Sequence, residues 1–251
     1  MESSQSPQFE IAEQVLPRPL LQGLQHVFAQ GIQGCVLAGG TALAGFYAGH
    51  RRSDDLDLFT ATEFDQRAAV LAVKSLSSTG ASLKILVETQ QYFEATATSG
   101  GHIFKITVVL DKNLFRVGRV VKLKGNIQVV DLSTLLKMKA ATLVSRCSEK
   151  DLYDLIWLFE HFSKLTVPDL IRLGNEIDGG MDAEAVLLSV EGAILNKTAC
   201  GFAVDPLLTS EKIYKKILDF RKQLIQAILN YIKAQPTPAL GALVQALRKL
   251  K

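Results

Sequence analysis

Residues 37–59 read LAGGTALAGFYAGHRRSDDLDLF, and this stretch decides the fold of the first half of the chain. The apolar run 35–38 ends in two glycines, a pattern typical of a buried strand that leads into a tight turn. Residues 42–49 favour a helix, and residues 55–59 alternate polar and apolar side chains as a half-buried strand does. The stretch therefore predicts a strand, a glycine turn, a helix and a second strand in succession.

Two aspartates in the second predicted strand carry the chemistry. Side chains alternate along a strand, so Asp55 and Asp57 share one face while the neighbouring leucines enter the core. Carboxylate oxygens are the ligands that Mg²⁺ prefers, and N–H groups at a glycine turn before a helix can hold phosphate oxygens. Gly39, Gly40 and Thr41 followed by this pair therefore predict a site for a magnesium-bound nucleoside triphosphate. The simpler interpretation is an ordinary turn beside an edge strand whose aspartates meet water.

The sequence pattern changes at Asp131. Before it, short β-branched runs, including residues 92–98 and 102–110, alternate with helical segments, and after it helical periodicity continues almost without interruption. This change predicts two domains, residues 1–130 with a mixed sheet and residues 131–251 with a helical bundle. The expected fold class is therefore α+β.

The composition is that of an ordinary soluble protein and excludes several classes. The 251 residues are 48% hydrophobic and 21% charged, unlike collagen-like, coiled-coil or disordered chains. There is no long uninterrupted apolar segment and no basic-then-apolar leader, so we expect a cytoplasmic protein without a membrane partner. Three widely spaced cysteines indicate neither a disulfide framework nor a zinc site.

Positive charge is concentrated near the end of the sequence. Residues 211–251 hold nine lysines and arginines against Glu211 and Asp219, although the formal charge of the whole sequence is only +3. Such a segment favours contact with nucleic acid phosphates, and a solvated helix face is the simpler interpretation.

Two motifs together resemble the signature of a known family. Residues 37–59 and the later stretch 138–155, MKAATLVSRCSEKDLYDL, are similar to the AbiEii/AbiGii-type nucleotidyltransferase-like toxins, relatives of the DNA polymerase β-like nucleotidyltransferases. The second motif consists of a lysine, an arginine and a basic-acidic-x-x-Asp element: Lys139, Arg146, Lys150, Asp151 and Asp154. The resemblance implies a polymerase β-like nucleotidyltransferase domain at the N-terminal side, followed by the helical domain.

The resemblance also implies roles for individual residues in both motifs. Gly40 and Thr41 would bind nucleotide phosphates, and Asp55 and Asp57 would bind Mg²⁺. Lys139 would neutralise the charge of a phosphate.

The acidic residues of the second motif have two interpretations. By the resemblance, Asp151 and Asp154 would line the nucleotide cleft or orient basic groups. Without it, Lys150 and Asp154 are an exposed i,i+4 pair. Lys139 and Arg146, seven residues apart in sequence, share a helix face that fits either a nucleotide site or a solvated stripe.

Four more polar residues are candidates for phosphate contacts. Arg51 and Arg52 either stabilise the C-terminus of the preceding helix or reach a nucleotide or RNA phosphate. Ser53 either caps the chain locally or contacts phosphate. Lys105 shares the face of Thr107 in the strand 102–110, where it either contacts phosphate or points into solvent.

The sequence departs from the family pattern at one position. Polymerase β-like sites usually have a third carboxylate on a later strand, and Thr107 stands where that acid is expected. A neutral hydroxyl is a poor replacement for an anionic metal ligand. If Gly100-Gly101 forms a two-residue hairpin turn, Glu94 lies directly opposite Thr107 and could supply the missing charge to a metal. A slip of one residue would turn Glu94 to the other face.

The leading hypothesis is a Mg²⁺-dependent nucleotidyltransferase-like toxin of an abortive-infection toxin-antitoxin pair. It would use an NTP, and the resemblance implies a tRNA 3′ end as acceptor and a separate antitoxin as partner. A second interpretation is transfer to a small molecule or a protein hydroxyl. A third is a catalytically weakened nucleotide-binding regulator, which the threonine at position 107 motivates.

Overall fold

The computed structural model describes residues 5–248, which divide into two compact units, one ending at Leu135 and the other beginning at Leu136. Among the described residues, every strand belongs to the first unit, and the second unit contains only helices and turns. This combination of a mixed sheet followed by helices confirms the α+β class expected from the sequence.

The first unit alternates helices and strands. Its helices are α1 (Phe9–Val15), α2 (Arg18–Ala29), α3 (Gly39–Leu43), α4 (Glu63–Lys74) and α5 (Lys112–Val117). Its strands are β1 (Cys35–Ala38), β2 (Asp55–Thr60), β3 (Ser82–Glu88), β4 (Tyr92–Ser99), β5 (His102–Leu110), β6 (Val120–Lys122) and β7 (Gln128–Val130). A π-helical turn, Ala44–Ala48, continues α3, so the chain reverses before β2 without a long loop.

The strands of the described residues form one seven-stranded sheet in the order β3-β4-β5-β2-β1-β7-β6. β1 is fully buried between β2, which is antiparallel to it, and β7, which is parallel. β2 is parallel to β5, and β5 forms an antiparallel hairpin with β4. Gly100 and Gly101 form the hairpin turn with φ of 55° and 78°, values that favour glycine.

Two helices cover the apolar face of the sheet. α4 packs on β2 and β5, and α2 packs on β5 through Gly23, which lies against the ring of Phe104. On the same face Leu56, Leu58 and Ile106 are fully buried. The opposite face of β2, β5 and β4 carries the polar side chains, so alternation along the strands separates core from candidate site.

The second unit is built from helices around one long central helix. Its elements are most of α6 (Leu132–Ser145), α7 (Glu149–His161), α8 (Val167–Asn175), α9 (Ala183–Gly192), α10 (Ser210–Ile232) and α11 (Leu240–Arg248). α10 packs against α7, α8, α9 and α11. Its buried stripe repeats every three or four residues: Ile213, Ile217, Phe220, Leu224 and Ile228.

Several short elements were not expected from the sequence. α1, α5, β6 and β7 all lie outside the predicted helices and strands. β6 and β7 have three residues each, too few for a side-chain alternation to be recognised, and they are defined by pairing with each other and with β1.

The described residues show the apolar character of the helices and the state of the cysteines. None of their helices combines the length and apolar character needed to cross a bilayer. All three cysteines are free, with Cys35 and Cys200 buried and Cys147 half-buried.

Candidate functional site

Gly39 and Gly40, the first residues of α3, form the turn after β1 and bring the backbone close to one of the aspartates. Gly39 has a φ of 67°, in the left-handed region that favours glycine. A Cβ atom at Gly39 would lie 2.2 Å from Oδ2 of Asp57. Any larger residue at this position would therefore overlap the carboxylate of Asp57. The antiparallel register of β1 and β2 sets Ala38 opposite Asp57, and this register places the carboxylate against the turn.

The second glycine of the turn makes room for a buried arginine. A Cβ atom at Gly40 would lie 2.5 Å from Nη2 of Arg51. Arg51 is only 2% exposed, and its Nη1 donates a hydrogen bond of 2.9 Å to the carbonyl of Arg52. Because a guanidinium stays protonated, a permanent positive charge is held beside the turn. Arg52 is exposed, so the two adjacent arginines have different environments.

Two hydroxyl groups connect the turn to the start of β2. Thr41 and Ser53 are both buried, and their hydroxyl oxygens are 2.8 Å apart. The Thr41 hydroxyl also donates to the backbone carbonyl of Asp55. These bonds give Thr41 a structural role that the sequence did not indicate. Contact of Thr41 and Ser53 with phosphate stays a prediction.

The two aspartates of β2 project from the same face of the sheet. Leu56 and Leu58 are fully buried, whereas Asp55 and Asp57 are half-buried. Asp57 is further held by Thr107, whose Oγ1 donates a hydrogen bond of 3.0 Å to Oδ1 of Asp57. The pair therefore has the shared direction that a common metal ion requires.

A row of polar residues crosses three neighbouring strands. Asp57 in β2 is paired with Thr107 in β5, and Thr107 is paired with Glu94 in β4. The register predicted from the Gly100-Gly101 turn is thus confirmed. Thr107 is 7% exposed, so its hydroxyl lies between two acidic residues in a largely buried position.

Glu94 has partners of its own on this face. Its Oε1 lies 3.1 Å from Nζ of Lys105, and its Oε2 accepts a hydrogen bond from the Tyr92 hydroxyl. The bonds from Tyr92 and Lys105 hold the pKa of Glu94 below its ordinary value. The same bond to Glu94 raises the pKa of Tyr92 to about 12. Both carboxylate oxygens of Glu94 are therefore engaged, and its role as a metal ligand stays a prediction.

The two aspartates of β2 offer oxygen atoms of the kind that a divalent ion binds. The carboxylates of Asp55 and Asp57 are hard oxygen donors and fit Mg²⁺. Within residues 5–248, no cluster of three or more His, Cys, Asp or Glu side chains could hold a metal ion. Mg²⁺ is commonly held by one or two carboxylates together with substrate phosphates. The aspartate pair therefore fits an ion that binds with a nucleotide.

The second motif forms a buried ionic cluster within the helical unit. Nζ of Lys139 lies 2.8 Å from Oδ1 of Asp151 and 2.7 Å from Oδ2 of Asp154. Lys139 is 4% exposed and Asp154 is fully buried. The interpretation of Lys150 and Asp154 as an exposed i,i+4 pair is therefore wrong, because the Asp154 carboxylate turns inward to Lys139.

The remaining members of the motif lie at the edge of this cluster. Nε of Arg146 is 3.6 Å from Oδ2 of Asp151, and its side chain is 69% exposed. Lys139 and Arg146 therefore do not form one solvated stripe, since only Arg146 faces solvent. Ser148 caps α7 and donates a hydrogen bond of 2.6 Å to Oδ2 of Asp151.

The charge of Asp151 reflects a balance between burial and its neighbours. Burial alone would raise the pKa of this carboxyl. Lys139, Ser148 and Arg146 together outweigh that effect, so the pKa of Asp151 lies below its ordinary value. The Asp151 carboxyl is therefore ionised at neutral pH, beside the ammonium group of Lys139.

Sequence reasoning missed two residues that contact the predicted ones. Tyr92 stands two positions before Glu94, a spacing that puts both on one face of a strand. Ser148 stands three positions before Asp151, the spacing of a helix N-cap and its partner. Both signals were present in the sequence.

The fold resembles solved structures, one of which is a nucleotidyltransferase toxin. JHP933 from Helicobacter pylori is 14% identical, with a TM-score of 0.52, and the likeness covers 87% of this chain and 97% of that chain. MenT4, a nucleotidyltransferase toxin from Mycobacterium tuberculosis, is 16% identical, with a TM-score of 0.51 and 90% of each chain covered. At these identities the likeness shows a shared fold, and it confirms the nucleotidyltransferase fold that was expected.

The family relationship comes from the sequence itself. A search of curated proteins finds no match. The sequence profile of the nucleotidyl transferase AbiEii toxin, type IV toxin-antitoxin system, matches residues 22–235 and so includes both motifs. The chain therefore belongs to the AbiEii family of nucleotidyltransferase toxins.

Proposed function

We propose that this nucleotidyltransferase transfers a nucleotide from an NTP to an acceptor hydroxyl, with Mg²⁺ held by Asp55 and Asp57. One observation carries the proposal. Both aspartates project from one face of β2 while the carboxylate of Asp57 lies against the backbone of Gly39. The proposed ion ligands thus lie beside the turn proposed to receive the phosphates.

Nucleotidyl transfer depends mainly on positioning and on stabilising charge. Asp55 and Asp57 would hold the ion, which when bound neutralises charge on the phosphates. The backbone N–H groups of Gly40 and Thr41 are the proposed phosphate donors, because the Thr41 hydroxyl is already engaged with Ser53. These groups bind and orient the triphosphate, and the acceptor hydroxyl supplies the nucleophile.

Positive groups near the turn would complete the phosphate site. The buried guanidinium of Arg51 lies against Gly40 and supplies a fixed positive charge there. Lys105 is bound to Glu94 at 3.1 Å and would exchange this partner for a phosphate. Arg52 is exposed and is the proposed contact for an acceptor phosphate.

For the helical unit we propose the roles that the resemblance implies. Lys139 would neutralise phosphate charge, and Asp151 and Asp154 would orient it, because both carboxylates bind its ammonium group. The exposed guanidinium of Arg146 is a second proposed phosphate contact. The two aspartates are not proposed as metal ligands, since both carboxylates are bound to the ammonium group of Lys139.

The proposed acceptor is RNA, with a tRNA 3′ end as the specific candidate. Its support is the basic segment 211–251, where Lys215, Lys222 and Lys233 are exposed on or directly after α10. Such lysines bind phosphates without reading sequence. Lys249 and Lys251 of the same segment lie outside the described residues.

The family description supports the remaining parts of the hypothesis. A toxin of a type IV toxin-antitoxin system acts with a separate antitoxin, which we propose as the protein partner. We further propose that the protein acts in the cytoplasm, where NTPs, Mg²⁺ and tRNA are all present, and that it acts during abortive infection. Expression of the chain alone should then arrest growth, and co-expression of the antitoxin should relieve the arrest.

The proposed reaction is tested by label transfer. The purified protein is incubated with each labelled NTP, Mg²⁺ and total RNA, beside Asp55→Asn, Asp57→Asn and the matched control Asp54→Asn. We expect label in tRNA with the unaltered protein and the control. Each site variant should lose transfer by at least about a hundredfold, because a metal-bound charge is removed.

Other distributions of label identify other functions. Label on a small molecule or on protein would favour the second acceptor class, and equal transfer by Asp57→Asn and the unaltered protein would contradict the proposed site. NTP binding without transfer would favour a regulator. That alternative has one specific observation behind it, the neutral Thr107 at the position of the third carboxylate.

A further inference from the structure

We infer that Thr107 is a positioning residue, which holds the Asp57 carboxylate in the orientation that binds the divalent ion. The inference rests on the proposed function, because it concerns the same aspartate pair. Thr107 occupies the strand position at which a polymerase β-like site usually has its third acid. The structure shows that the threonine hydroxyl is directed to the carboxylate in the neighbouring strand.

The geometry fixes both oxygens of Asp57. Oδ1 accepts the 3.0 Å hydrogen bond from the Thr107 hydroxyl, and Oδ2 lies over Gly39, where a Cβ atom would be only 2.2 Å away. The terminal torsion of an aspartate is otherwise broad, so a carboxylate without such contacts samples many orientations. The hydroxyl and the turn together select one of them.

The environment of Thr107 strengthens this bond. The residue is 7% exposed, so water competes poorly for the hydroxyl. Its other acidic neighbour, Glu94, is bound to Tyr92 and Lys105. A hydroxyl adds no negative charge, so Thr107 orders the existing ligand without replacing the absent one.

Another buried threonine provides the comparison within the same sheet. Thr60 at the end of β2 is fully buried, but its hydroxyl donates to the backbone carbonyl of Val109 at 3.1 Å. Thr60→Val and Thr107→Val therefore make the same chemical change in the same sheet. Only the second removes a hydrogen bond to Asp57.

The test measures metal binding and not turnover. Free Mn²⁺ is counted by electron paramagnetic resonance with full-length protein and a non-hydrolysable NTP analogue, and the same mixture without protein gives the Mn²⁺ that the analogue binds by itself. Thr107→Val should weaken Mn²⁺ binding about tenfold, the effect of losing one hydrogen bond to a charged group. Thr107→Ser keeps the hydroxyl and should stay within about twofold of the unaltered protein, as should Thr60→Val.

Each outcome decides between distinct conclusions. If Thr107→Val and the unaltered protein bind Mn²⁺ equally, or if Thr60→Val loses as much, the positioning role is overturned while the proposed function stands. If Asp57→Asn binds Mn²⁺ as well as the unaltered protein does, or if neither binds it, both the positioning role and the proposed function are overturned. Should Thr107→Val fail to fold, Thr107→Ser and Thr107→Ala differ by one oxygen atom, and equal Mn²⁺ binding by these two overturns the inference.

Discussion

Gly39 meets two structural requirements. Its backbone adopts a left-handed conformation, and it has no side chain that would overlap the carboxylate of Asp57. We predict that Gly39→Ala lowers the free energy of unfolding and also removes nucleotidyl transfer. A φ of 67° strains an L-residue by about 1–2 kcal/mol. The added Cβ would in addition overlap Oδ2 of Asp57 and displace the carboxylate. Urea unfolding and the label-transfer assay measure the two effects.

Gly31→Ala is the matched control for this prediction. Gly31 has a φ of 72°, but a Cβ atom there would meet nothing within 4 Å. The Gly31→Ala variant should therefore lose stability through backbone strain alone, and it should keep nucleotidyl transfer. If the two variants lose equal stability and both remain active, the contact between Gly39 and Asp57 has no functional importance.

Single residues also mark the limit of sequence reasoning. The alternation around Asp55 and Asp57 was enough to predict their shared face, because side-chain period in a strand is local. The burial of Arg51 beside an exposed Arg52 could not be predicted in this way. It depends on Gly40, which is distant in sequence and leaves the space for the guanidinium.

At the scale of elements, the hairpin β4-β5 and the helix pair α6-α7 contrast. The register of the hairpin follows from one glycine pair, so Glu94 could be placed opposite Thr107 from sequence alone. The burial of Lys139 depends instead on the packing of α7 against α6, which brings Asp151 and Asp154 to its ammonium group. Periodicity predicts each helix and its ends but not this pairing of charges.

The helix pair leads to a prediction about stability. Lys139→Met should lower the free energy of unfolding by about 3–5 kcal/mol, because it leaves two buried carboxylates without their cation. Lys74→Met is the control, since Lys74 forms a 2.7 Å ion pair with Glu88 and both side chains are more than a third exposed. This pair should contribute about 0–1 kcal/mol. Urea unfolding that finds equal losses would contradict a buried ionic cluster.

The same cluster predicts a dependence of stability on pH. The folded pKa of Asp151 lies below its ordinary value of 3.8, so folding favours the ionised form. Its contribution is therefore complete above about pH 4 and is lost as the pH falls through the folded pKa. Asp151→Asn should differ from the unaltered protein by a constant amount between pH 7 and pH 5, and the difference should shrink below about pH 4. A difference that grows on acidification would have the wrong sign.

At the scale of the whole molecule, the succession of helices and strands along the chain could be predicted, because apolar residues recur with strand spacing in parts of the first half and with helical spacing in the second. The order of the strands within the sheet could not be predicted. β1 pairs in parallel with β7, which follows it in the chain only after five other strands. Such long-range pairing leaves little trace in the local pattern, whereas the burial of β1 was expected from its uninterrupted apolar run.

The distribution of charge over the molecule supports a last prediction, about RNA. Replacing Lys215, Lys222 and Lys233 by glutamine should weaken tRNA binding and reduce the slope of log K against log salt by about 2, since up to three phosphate contacts are lost. The control replaces three exposed lysines of the first unit, Lys84, Lys112 and Lys124, and has the same net charge. Fluorescence anisotropy with labelled tRNA at several salt concentrations measures both slopes, and NTP binding should be unchanged in both variants. Equal slopes for the two variants would mean that overall charge, and not the α10 surface, attracts the RNA.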